Sequence, residues 1–341
     1  MTAPSKGTMM TRPLRIGILG AANITHRALI EPASERDDVQ LVAVAARDRG
    51  RAEQFAEKHG ILHAMDSYDD VVDSAEVDAI YIPLPASHHA RWSIRALEAG
   101  KHVLVEKPFA ANASEARQVA QVAATSGQVL MEAFHYRYHA LVLRLQEMLA
   151  MGLIGEITDI QATFDITMPD RSDIRYQLPL GGGATMDLGC YPIHLARTLM
   201  GSEPEVITAT ARVVDGGEVD EALEATLQFR GGVSCTIRSS LLEKHKNQSA
   251  RITGTLGAID VDNFVHPQDG NRITMSLESG VVTQEVPRQP TSYAAQLAAF
   301  VAAVRDGVGV ITGPADSVAN MEVIDAMYRA AGLTPRPAAM I

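Results

Sequence analysis

Cysteine and tryptophan are scarce in this chain of 341 residues, which contains two cysteines and one tryptophan. Two cysteines are too few for a disulfide scaffold and favour a reducing compartment, so we expect a cytoplasmic protein. A single disulfide between Cys190 and Cys235 remains compatible with the sequence. A nucleophilic cysteine would need a paired base, so we interpret Cys190 as a packing residue.

Long apolar runs and clusters of basic residues are also missing. No stretch of about 18 uncharged apolar residues occurs, so the sequence predicts no membrane-spanning helix. The formal net charge is −11 and no Lys/Arg-rich run is present, which excludes the usual electrostatic footprint of a nucleic-acid-binding protein. We therefore expect a small-molecule partner rather than a membrane or a nucleic acid.

The first 133 residues alternate short apolar runs with helical segments, which is the pattern of βαβ units. The runs predict parallel strands at residues 14–20, 41–47, 78–84, 102–106 and 128–133. Helices are predicted between them at residues 23–32, 49–59, 68–74, 87–99 and 114–125. Because the strands are almost continuously apolar, helices should cover both faces of the sheet. We predict an α/β protein whose residues 1–133 form a Rossmann domain, a doubly wound parallel sheet that binds a dinucleotide.

The remaining residues, 134–341, show a different pattern. Strands that alternate polar and apolar residues are joined by glycine-containing turns, which predicts a mainly antiparallel sheet with one exposed face. Further helices are predicted at residues 139–151, 292–305 and 314–331. We therefore predict an α+β substrate-binding domain, and since no linker precedes it, a rigid cleft at the junction.

The segment RIGILGAANIT predicts a strand, a glycine turn and the start of a helix. In this geometry backbone N–H groups and the helix dipole receive a pyrophosphate. The fingerprint G-x-G-x-x-G maps onto Gly20, Ala22 and Thr25, so only its first glycine is kept, and a plain strand-to-helix turn is the alternative. Its position in the first βαβ unit favours a cofactor site that includes Gly20, Ala22, Asn23 and Ile24.

The end of the second predicted strand bears on the choice between NADP and NAD. NAD sites usually place Asp or Glu here, whereas Arg suits the 2′-phosphate of NADP. Arg47 is placed to hold that phosphate by charge-assisted hydrogen bonds, and Arg49 follows shortly after it. We predict NADP, while Asp48 keeps NAD possible and a solvated turn is the alternative.

Lys107 ends a buried-looking strand in the segment KHVLVEKPFA. Open α/β sheets bind ligands at the carboxyl ends of their strands, although a solvated lysine is the commoner case. In GGGATMDLGCYPIH, helical spacing would put Asp187, Tyr191 and His194 on one face. Since the pKa of free tyrosine is about 10, we expect Lys107 to lower the pKa of Tyr191, with His194 as the competing base.

Four segments together resemble a known family: the Gly20 turn, EKP at 106–108, MEAFHYRYH at 131–139 and GGGATMDLGCYPIH. They are similar to the glucose-fructose oxidoreductase, inositol dehydrogenase and rhizopine-catabolism family, Gfo/Idh/MocA, over essentially the whole chain from about Leu14. The resemblance implies a nicotinamide-dependent oxidoreductase in which Lys107 is catalytic and Asp187 helps to bind substrate. Tyr191, where many members carry His, resembles the branch of glucose-fructose oxidoreductase, dimeric dihydrodiol dehydrogenase and NADP-linked aldose dehydrogenases.

The resemblance carries further expectations. It implies that Pro83, His89 and Glu106 join Lys107 in the cofactor site, and that the exposed face of the second sheet forms a homodimer or homotetramer. Arg137 follows a strand end that faces the same cleft, and the expected substrate-binding residues are Arg137, Asp187 and His194. Departures from the family pattern are Ala22 and Thr25 in place of glycines and His139 in place of a frequent proline.

We predict hydride transfer between NADP and a hydroxyl-bearing or carbonyl carbon of a sugar or polyol-like substrate. The predicted catalytic residues are Lys107, Tyr191 and Asp187. A trans-dihydrodiol dehydrogenase is an alternative, and a non-catalytic NADP-binding regulatory protein is an alternative of another class. His135 and His139 have the spacing of metal ligands, but no third ligand or H-E-x-x-H glutamate accompanies them, so no metal site is predicted.

Overall fold

Two β-sheets organise the structure, a computed structural model that describes residues 12–215 and 217–338. The predicted domain ranges include residues 1–11, 216 and 339–341, which lie outside the described residues. The first sheet has six parallel strands in the order β3-β2-β1-β4-β5-β6, which is the order of a doubly wound dinucleotide-binding sheet. Its strands are β1 (Leu14–Leu19), β2 (Val39–Ala45), β3 (His63–Ala64), β4 (Ala79–Ile82), β5 (His102–Val105) and β6 (Leu130–Glu132).

Helices connect these strands close to the positions that the sequence predicts. They are α1 (Glu31–Ser34), α2 (Arg49–His59), α3 (Tyr68–Asp73), α4 (Ala86–Glu98) and α5 (Ala113–Ser126). Gly60 and Gly127 end α2 and α5 in the left-handed conformation, with φ of 66° and 71°. The helix expected at 23–32 is instead a π-helical turn, His26–Ile30, followed by α1. Pro32 lacks the N–H needed to continue one regular α-helix through this segment.

Within the described residues, the second sheet has eight strands in the order β14-β13-β12-β11-β7-β10-β9-β8, of which only the pair β7 and β10 is parallel. Its strands are β7 (Ile157–Thr167), β8 (Glu205–Val213), β9 (Asp220–Gln228), β10 (Ser234–Ser240), β11 (Leu242–Gly254), β12 (Gly257–Asp262), β13 (Arg272–Leu277) and β14 (Gly280–Gln284). The mainly antiparallel sheet is therefore confirmed. β11 begins earlier than the apolar alternation suggests, because its first part is polar and contains a register shift between Leu242 and Asn247.

The helices of the second half are α6 (Ala140–Ala150), α7 (Cys190–Met200), α8 (Ser292–Asp306) and α9 (Pro314–Ala330). α8 returns to the first sheet, where Leu297 and Phe300 join one buried cluster with Ile16 and Ile18 of β1. The two halves are thus connected by packing as well as by chain. The division between residues 133 and 134 stays a prediction.

Two sequence expectations concern the chain as a whole. Cys190 and Cys235 are both free and buried, and burial raises the pKa of each thiol, which agrees with a packing role for Cys190. Among residues 12–215 and 217–338, none of the helices has the length and apolar character needed to cross a bilayer.

Candidate active site

Lys107 lies directly after β5, at the carboxyl edge of the first sheet. Its Nζ donates to Oδ1 of Asp187 at 2.8 Å and to the backbone oxygen of Asp187 at 2.9 Å. The side chain is 16 % exposed, so the ammonium sits at the boundary between the interior and solvent. The strand end and the GGGATMDLG segment, 80 residues apart, thus meet at one point.

Asp187 is positioned by a π-helical turn, Thr185–Gly189, that follows a run of three glycines. At Gly183 φ is +139°, and a Cβ there would lie 2.2 Å from an oxygen of Asp220. Asp220 in turn accepts from both the N–H and the hydroxyl of Thr185, each at 2.7 Å. The glycine is therefore required by the close approach of Asp220, which anchors the turn that carries Asp187.

A second cation, Arg175, completes the surroundings of Asp187. Its Nε lies 2.5 Å from Oδ2 of Asp187. Burial alone would raise the pKa of Asp187, but Lys107 and Arg175 hold it well below its usual range. Burial likewise opposes the charge of Lys107, yet the Asp187 carboxylate raises the Lys107 pKa. The three groups form a fully ionised cluster. Sequence reasoning missed Arg175 because its 3₁₀ turn, Ile174–Tyr176, is too short to show a periodic pattern.

Tyr191 lies in the first turn of α7 and is 4 % exposed. Nζ of Lys107 is 5.2 Å from the centre of its ring, while its hydroxyl is 3.3 Å from Nε2 of His135. Burial raises the pKa of Tyr191 well above 10. The expected lowering of this pKa by Lys107 is therefore wrong, because the effect of burial dominates and the ammonium is bonded to Asp187.

His194 lies apart from this cluster, in the interior behind it. Its Nδ1 is 2.6 Å from the hydroxyl of Tyr136, its Nε2 is 2.8 Å from Asp316, and its ring stacks on Phe134 at 4.1 Å. Both ring nitrogens are thus engaged, and the residue is 1 % exposed. The expected single face of Asp187, Tyr191 and His194 assumes a regular α-helix, whereas the first of them lies on a π-helical turn.

Arg137 is directed towards α6 rather than towards Lys107. Its Nη1 donates to Oε1 of Gln146 at 3.0 Å, and within the described residues it has no hydrogen bond or ion pair with Lys107 or Asp187. Its position near substrate stays a prediction that no contact in the structure supports.

The turn after β1 has the features of a phosphate-binding loop. Gly20 has a φ of +111°, and a Cβ there would lie 3.0 Å from Leu84. Ala22 is partly exposed, whereas Asn23 and the apolar Ile24 are exposed. The hydroxyl of Thr25 is buried and has no hydrogen-bond partner among the described residues.

The segment after β2 distinguishes Arg47 from its neighbours. Asp48 accepts the N–H of Arg51 at 2.8 Å and caps α2, and Arg49 pairs with Glu53 and Asp66. Arg47 is exposed and forms no ion pair or side-chain hydrogen bond within the described residues. Among the charged side chains that open α2, the guanidinium of Arg47 is thus available for a ligand, while the Asp48 carboxylate is occupied.

The remaining residues predicted for the cofactor site line the ends of β4 and β5. Pro83 is buried directly after β4. The two ring nitrogens of His89 lie 2.7 Å from the carbonyl oxygens of Pro108 and Leu84, so this ring bridges the two strand ends. Glu106 accepts from the buried hydroxyl of Tyr81 at 2.7 Å. His89 and Glu106 thus support the edge from behind, since their polar atoms are bonded to protein groups.

No metal centre emerges from this geometry. Within residues 12–215 and 217–338, no group of three or more His, Cys, Asp or Glu side chains is arranged to hold an ion. His135 contacts Ser292 and Tyr191, and Nδ1 of His139 accepts the N–H of Leu141 at 3.1 Å.

Comparison with known proteins agrees with both halves of the fold. The description "oxidoreductase family, NAD-binding Rossmann fold" matches residues 14–134, and "GFO/IDH/MocA C-terminal domain" matches residues 142–260. The chain belongs to the Gfo/Idh/MocA oxidoreductase family. It is accordingly an NAD(P)-dependent oxidoreductase, and the family, fold class and enzyme class predicted from the sequence are confirmed.

Individual members of the family resemble the chain over most of its length. D-xylose 1-dehydrogenase (NADP⁺) 2 of Haloferax volcanii is 35 % identical, and the match covers 93 % of this chain and 97 % of the relative. Trans-1,2-dihydrobenzene-1,2-diol dehydrogenase of Danio rerio is 35 % identical over 73 % of this chain and 74 % of its own length. The crystal structure of KijD10, a 3-ketoreductase from Actinomadura kijaniata in complex with NADP and TDP-benzene, superimposes with a TM-score of 0.87 at 30 % identity, covering 94 % of this chain and 98 % of that chain.

Proposed function

We propose that this oxidoreductase exchanges hydride between NADP and a hydroxyl-bearing or carbonyl carbon of a sugar or polyol-like substrate, with Lys107, Asp187 and Tyr191 as its catalytic residues. The observation that carries the proposal is the meeting of Lys107 Nζ, the Asp187 carboxylate and the Tyr191 ring at the carboxyl edge of the first sheet. Ligands of open α/β sheets bind at this edge.

The residues at this edge fit NADP. The turn at Gly20 and the orphan hydroxyl of Thr25 suit a pyrophosphate at the start of a helix, and exposed Ile24 can cover an apolar part of the cofactor. Arg47 would hold the 2′-phosphate, because its guanidinium forms no ion pair or side-chain hydrogen bond within the described residues. The Asp48 carboxylate, in contrast, already accepts the N–H of Arg51. When bound, NADP supplies the hydride acceptor for oxidation or the hydride donor for reduction. The NADP-linked relatives support this choice over NAD.

Lys107 has the role of holding the reacting oxygen. Its ammonium is charged because Asp187 raises its pKa, and it retains partial exposure for a substrate group. A fixed N–H donor at this point stabilises negative charge that develops on the oxygen as its proton leaves. Asp187, held by Arg175 from the other side, fixes the direction in which the ammonium points.

Tyr191 has the role of the acid or base. In reduction its phenol donates a proton to the developing alkoxide, and in oxidation its oxygen accepts the hydroxyl proton. Because burial keeps the phenol neutral, accepting a proton requires that its own proton leave at the same time. Tyr191 therefore acts as a neutral phenol rather than as a stored tyrosinate.

A hydroxyl-rich substrate suits the charged groups of the site better than an apolar one. Lys107, Asp187 and Arg175 offer donors and acceptors that several sugar hydroxyls could satisfy together. Oxidation of a trans-dihydrodiol is the alternative reaction, and it is the activity for which one relative is named. Trans-dihydrodiols are therefore included among the substrates to be tested. The predicted homodimer or homotetramer, and the use of the exposed sheet face for it, would be tested by light scattering on the purified protein.

The deciding experiment follows reduced nicotinamide by absorbance while aldoses, polyols, keto-sugars and trans-dihydrodiols are offered with NADP(H) and with NAD(H). We expect turnover with NADP(H) and a sugar or polyol. Turnover with trans-dihydrodiols and with no sugar or polyol would show that the substrate is a dihydrodiol instead. Tight NADP binding without turnover of any alcohol or ketone would support the regulatory alternative and contradict the proposal.

A further inference from the structure

The hydroxyl of Tyr191 has one side-chain hydrogen-bond partner among the described residues, and this is Nε2 of His135 at 3.3 Å. His135 lies on the 3₁₀ turn His135–Tyr138 that follows β6, and it is 2 % exposed. Since Tyr191 is 4 % exposed, bulk water does not compete for this bond. The contact brings a titratable ring to the group proposed to move the substrate proton.

The hydrogen bonds behind His135 determine its tautomer. Oε1 of Gln268 accepts from the hydroxyl of Ser292 at 2.8 Å and from the backbone N–H of Ser292 at 3.5 Å. This arrangement assigns the serine proton to Gln268 and the donor role to Nδ1 of His135, which lies 2.8 Å from the same hydroxyl oxygen. A neutral imidazole protonated at Nδ1 leaves Nε2 as an acceptor. The Tyr191 hydroxyl therefore donates to His135.

The position and protonation of the His135 ring are also fixed. Tyr293 stacks on it with ring centres 3.9 Å apart. Burial, reinforced by nearby cationic and imidazole groups, lowers the pKa of His135 well below 6.5. The groups that face it from neighbouring elements are His266, Lys107, Arg27, His139, Tyr293 and Tyr191. The ring thus stays neutral, with Nε2 ready to accept, throughout the neutral pH range.

We propose that His135 receives the phenolic proton of Tyr191 when the alcohol is oxidised. This inference rests on the function proposed above. The substrate O–H bond breaks and a new O–H bond forms at Tyr191, while the original Tyr191 O–H bond breaks and an N–H bond forms at Nε2 of His135. The alcohol is oxidised and NADP⁺ is reduced as before, and the proton on His135 later passes to solvent. In reduction Nε2 of His135 first takes up a proton from solvent, which moves to the Tyr191 oxygen as the phenolic proton passes to the substrate oxygen.

The first test replaces His135 by Phe, which keeps a flat ring beside Tyr293 but removes both nitrogens. We expect kcat for oxidation to fall about 10²-fold, at the low end of the range for general acid–base catalysis. KM and the NADP dissociation constant should stay within a few-fold, because the His135 side chain is buried and only 2 % exposed. The control is His63→Phe, the same replacement at a histidine of β3 whose side chain is 48 % exposed, which should leave kcat unchanged.

The pH profile separates proton transfer from mere packing. In the wild-type enzyme, kcat/KM for oxidation should fall in acid, because His135 must be neutral to accept a proton. Since the pKa of His135 is lowered, this fall should lie well below pH 6.5, the pKa of free histidine being about 6.5. His135→Phe should lack this inflection. His135→Ala should regain part of its rate when imidazole is added, which a purely structural role would not produce.

A second measurement does not depend on turnover. In wild-type protein labelled with ¹³C and ¹⁵N, the ring signals of His135, assigned through bonds to its own backbone, should report a proton on Nδ1. A proton on Nε2 would overturn the inference even if the variants fail to fold. So would a folded His135→Phe enzyme that keeps wild-type kcat and pH profile. A wild-type protein that turns over no substrate with bound NADP would instead contradict the proposed function itself.

Discussion

The two sides of the proposed active site hold their side chains by different forces. On one side Lys107, Asp187 and Arg175 form an ionised cluster in which the Asp187 carboxylate and the two cations stabilise one another's charge by ion pairing. On the other side Tyr191 and His135 meet through a neutral hydrogen bond. Buried charges persist only when they are paired, whereas a buried phenol stays neutral. Charge therefore fixes the position of the ammonium, while burial keeps the proton on the tyrosine.

Replacing Lys107 should have the largest effect on the charged side. In Lys107→Met, Arg175 still pairs with Asp187, so no carboxylate is left alone and the fold should persist. We expect kcat to fall about 10³-fold, as when a preorganised donor to a developing oxyanion is lost, and the NADP dissociation constant to change by only a few-fold. Steady-state kinetics and fluorescence titration of NADP measure the two quantities. A normal kcat would remove Lys107 from the mechanism.

Asp187→Asn removes the centre of the same cluster and leaves Lys107 without its carboxylate partner, while Arg175 keeps its ion pair with Asp173. The pKa of Lys107 should fall, because burial lowers it once the Asp187 charge is gone. We expect a loss of about 10²-fold in kcat at neutral pH and an alkaline limb that moves to lower pH. A pH–rate profile checks this. An unchanged alkaline limb would mean that Asp187 does not control the charge of Lys107.

Cofactor choice gives an effect of intermediate size. Arg47→Ala should weaken NADP binding about 10- to 100-fold, the equivalent of a charge-assisted hydrogen bond worth about 1.5 to 3 kcal/mol, and leave NAD binding nearly unchanged. Arg49→Ala is the matched control, since that guanidinium is already paired with Glu53 and Asp66. Equal losses for NADP and NAD in the Arg47 variant would reject its contact with the 2′-phosphate.

Glu132 at the end of β6 provides a buried carboxyl that contrasts with Asp187. Burial raises its pKa from 4.5 to about 8, and one of its oxygens has no hydrogen-bond partner among the described residues. Because the folded protein keeps this proton more tightly than the unfolded chain, the free energy of unfolding falls as pH rises from 4.5 to about 8. Glu132→Gln should raise the melting temperature relative to wild type by a few degrees more at pH 8 than at pH 5. Equal shifts in melting temperature at both pH values would contradict a raised pKa of Glu132 in the folded state.

Local pattern was sufficient to predict most of the fold. Continuous apolar runs located β1 and its parallel neighbours, and glycines located the ends of α2 and α5. β3 was missed because two residues, His63–Ala64, are too few to show a period. The π-helical turn at Thr185–Gly189 was missed because side-chain periodicity does not distinguish it from an α-helix.

The site was predictable only in part because its contacts join distant segments. The strand end and the glycine run selected Lys107 and Asp187, which the fold brings within 2.8 Å. Arg175 and His135 carry no local signal, since their roles depend on contacts with Asp187 and Tyr191 in other segments of the chain. Helical spacing predicted that His194 shares a face with Asp187 and Tyr191. In the structure both of its ring nitrogens are instead hydrogen-bonded, to Tyr136 and Asp316.

Whether Tyr191 moves the substrate proton is tested most directly by the rate of hydride transfer in Tyr191→Phe. This rate is measured in a single turnover at saturating NADP and substrate. The substitution removes the phenolic hydroxyl and keeps the ring that packs beside Lys107. We expect the rate of hydride transfer to fall about 10²- to 10⁴-fold with unchanged NADP binding. A Tyr191→Phe enzyme that transfers hydride at the wild-type rate would contradict this expectation.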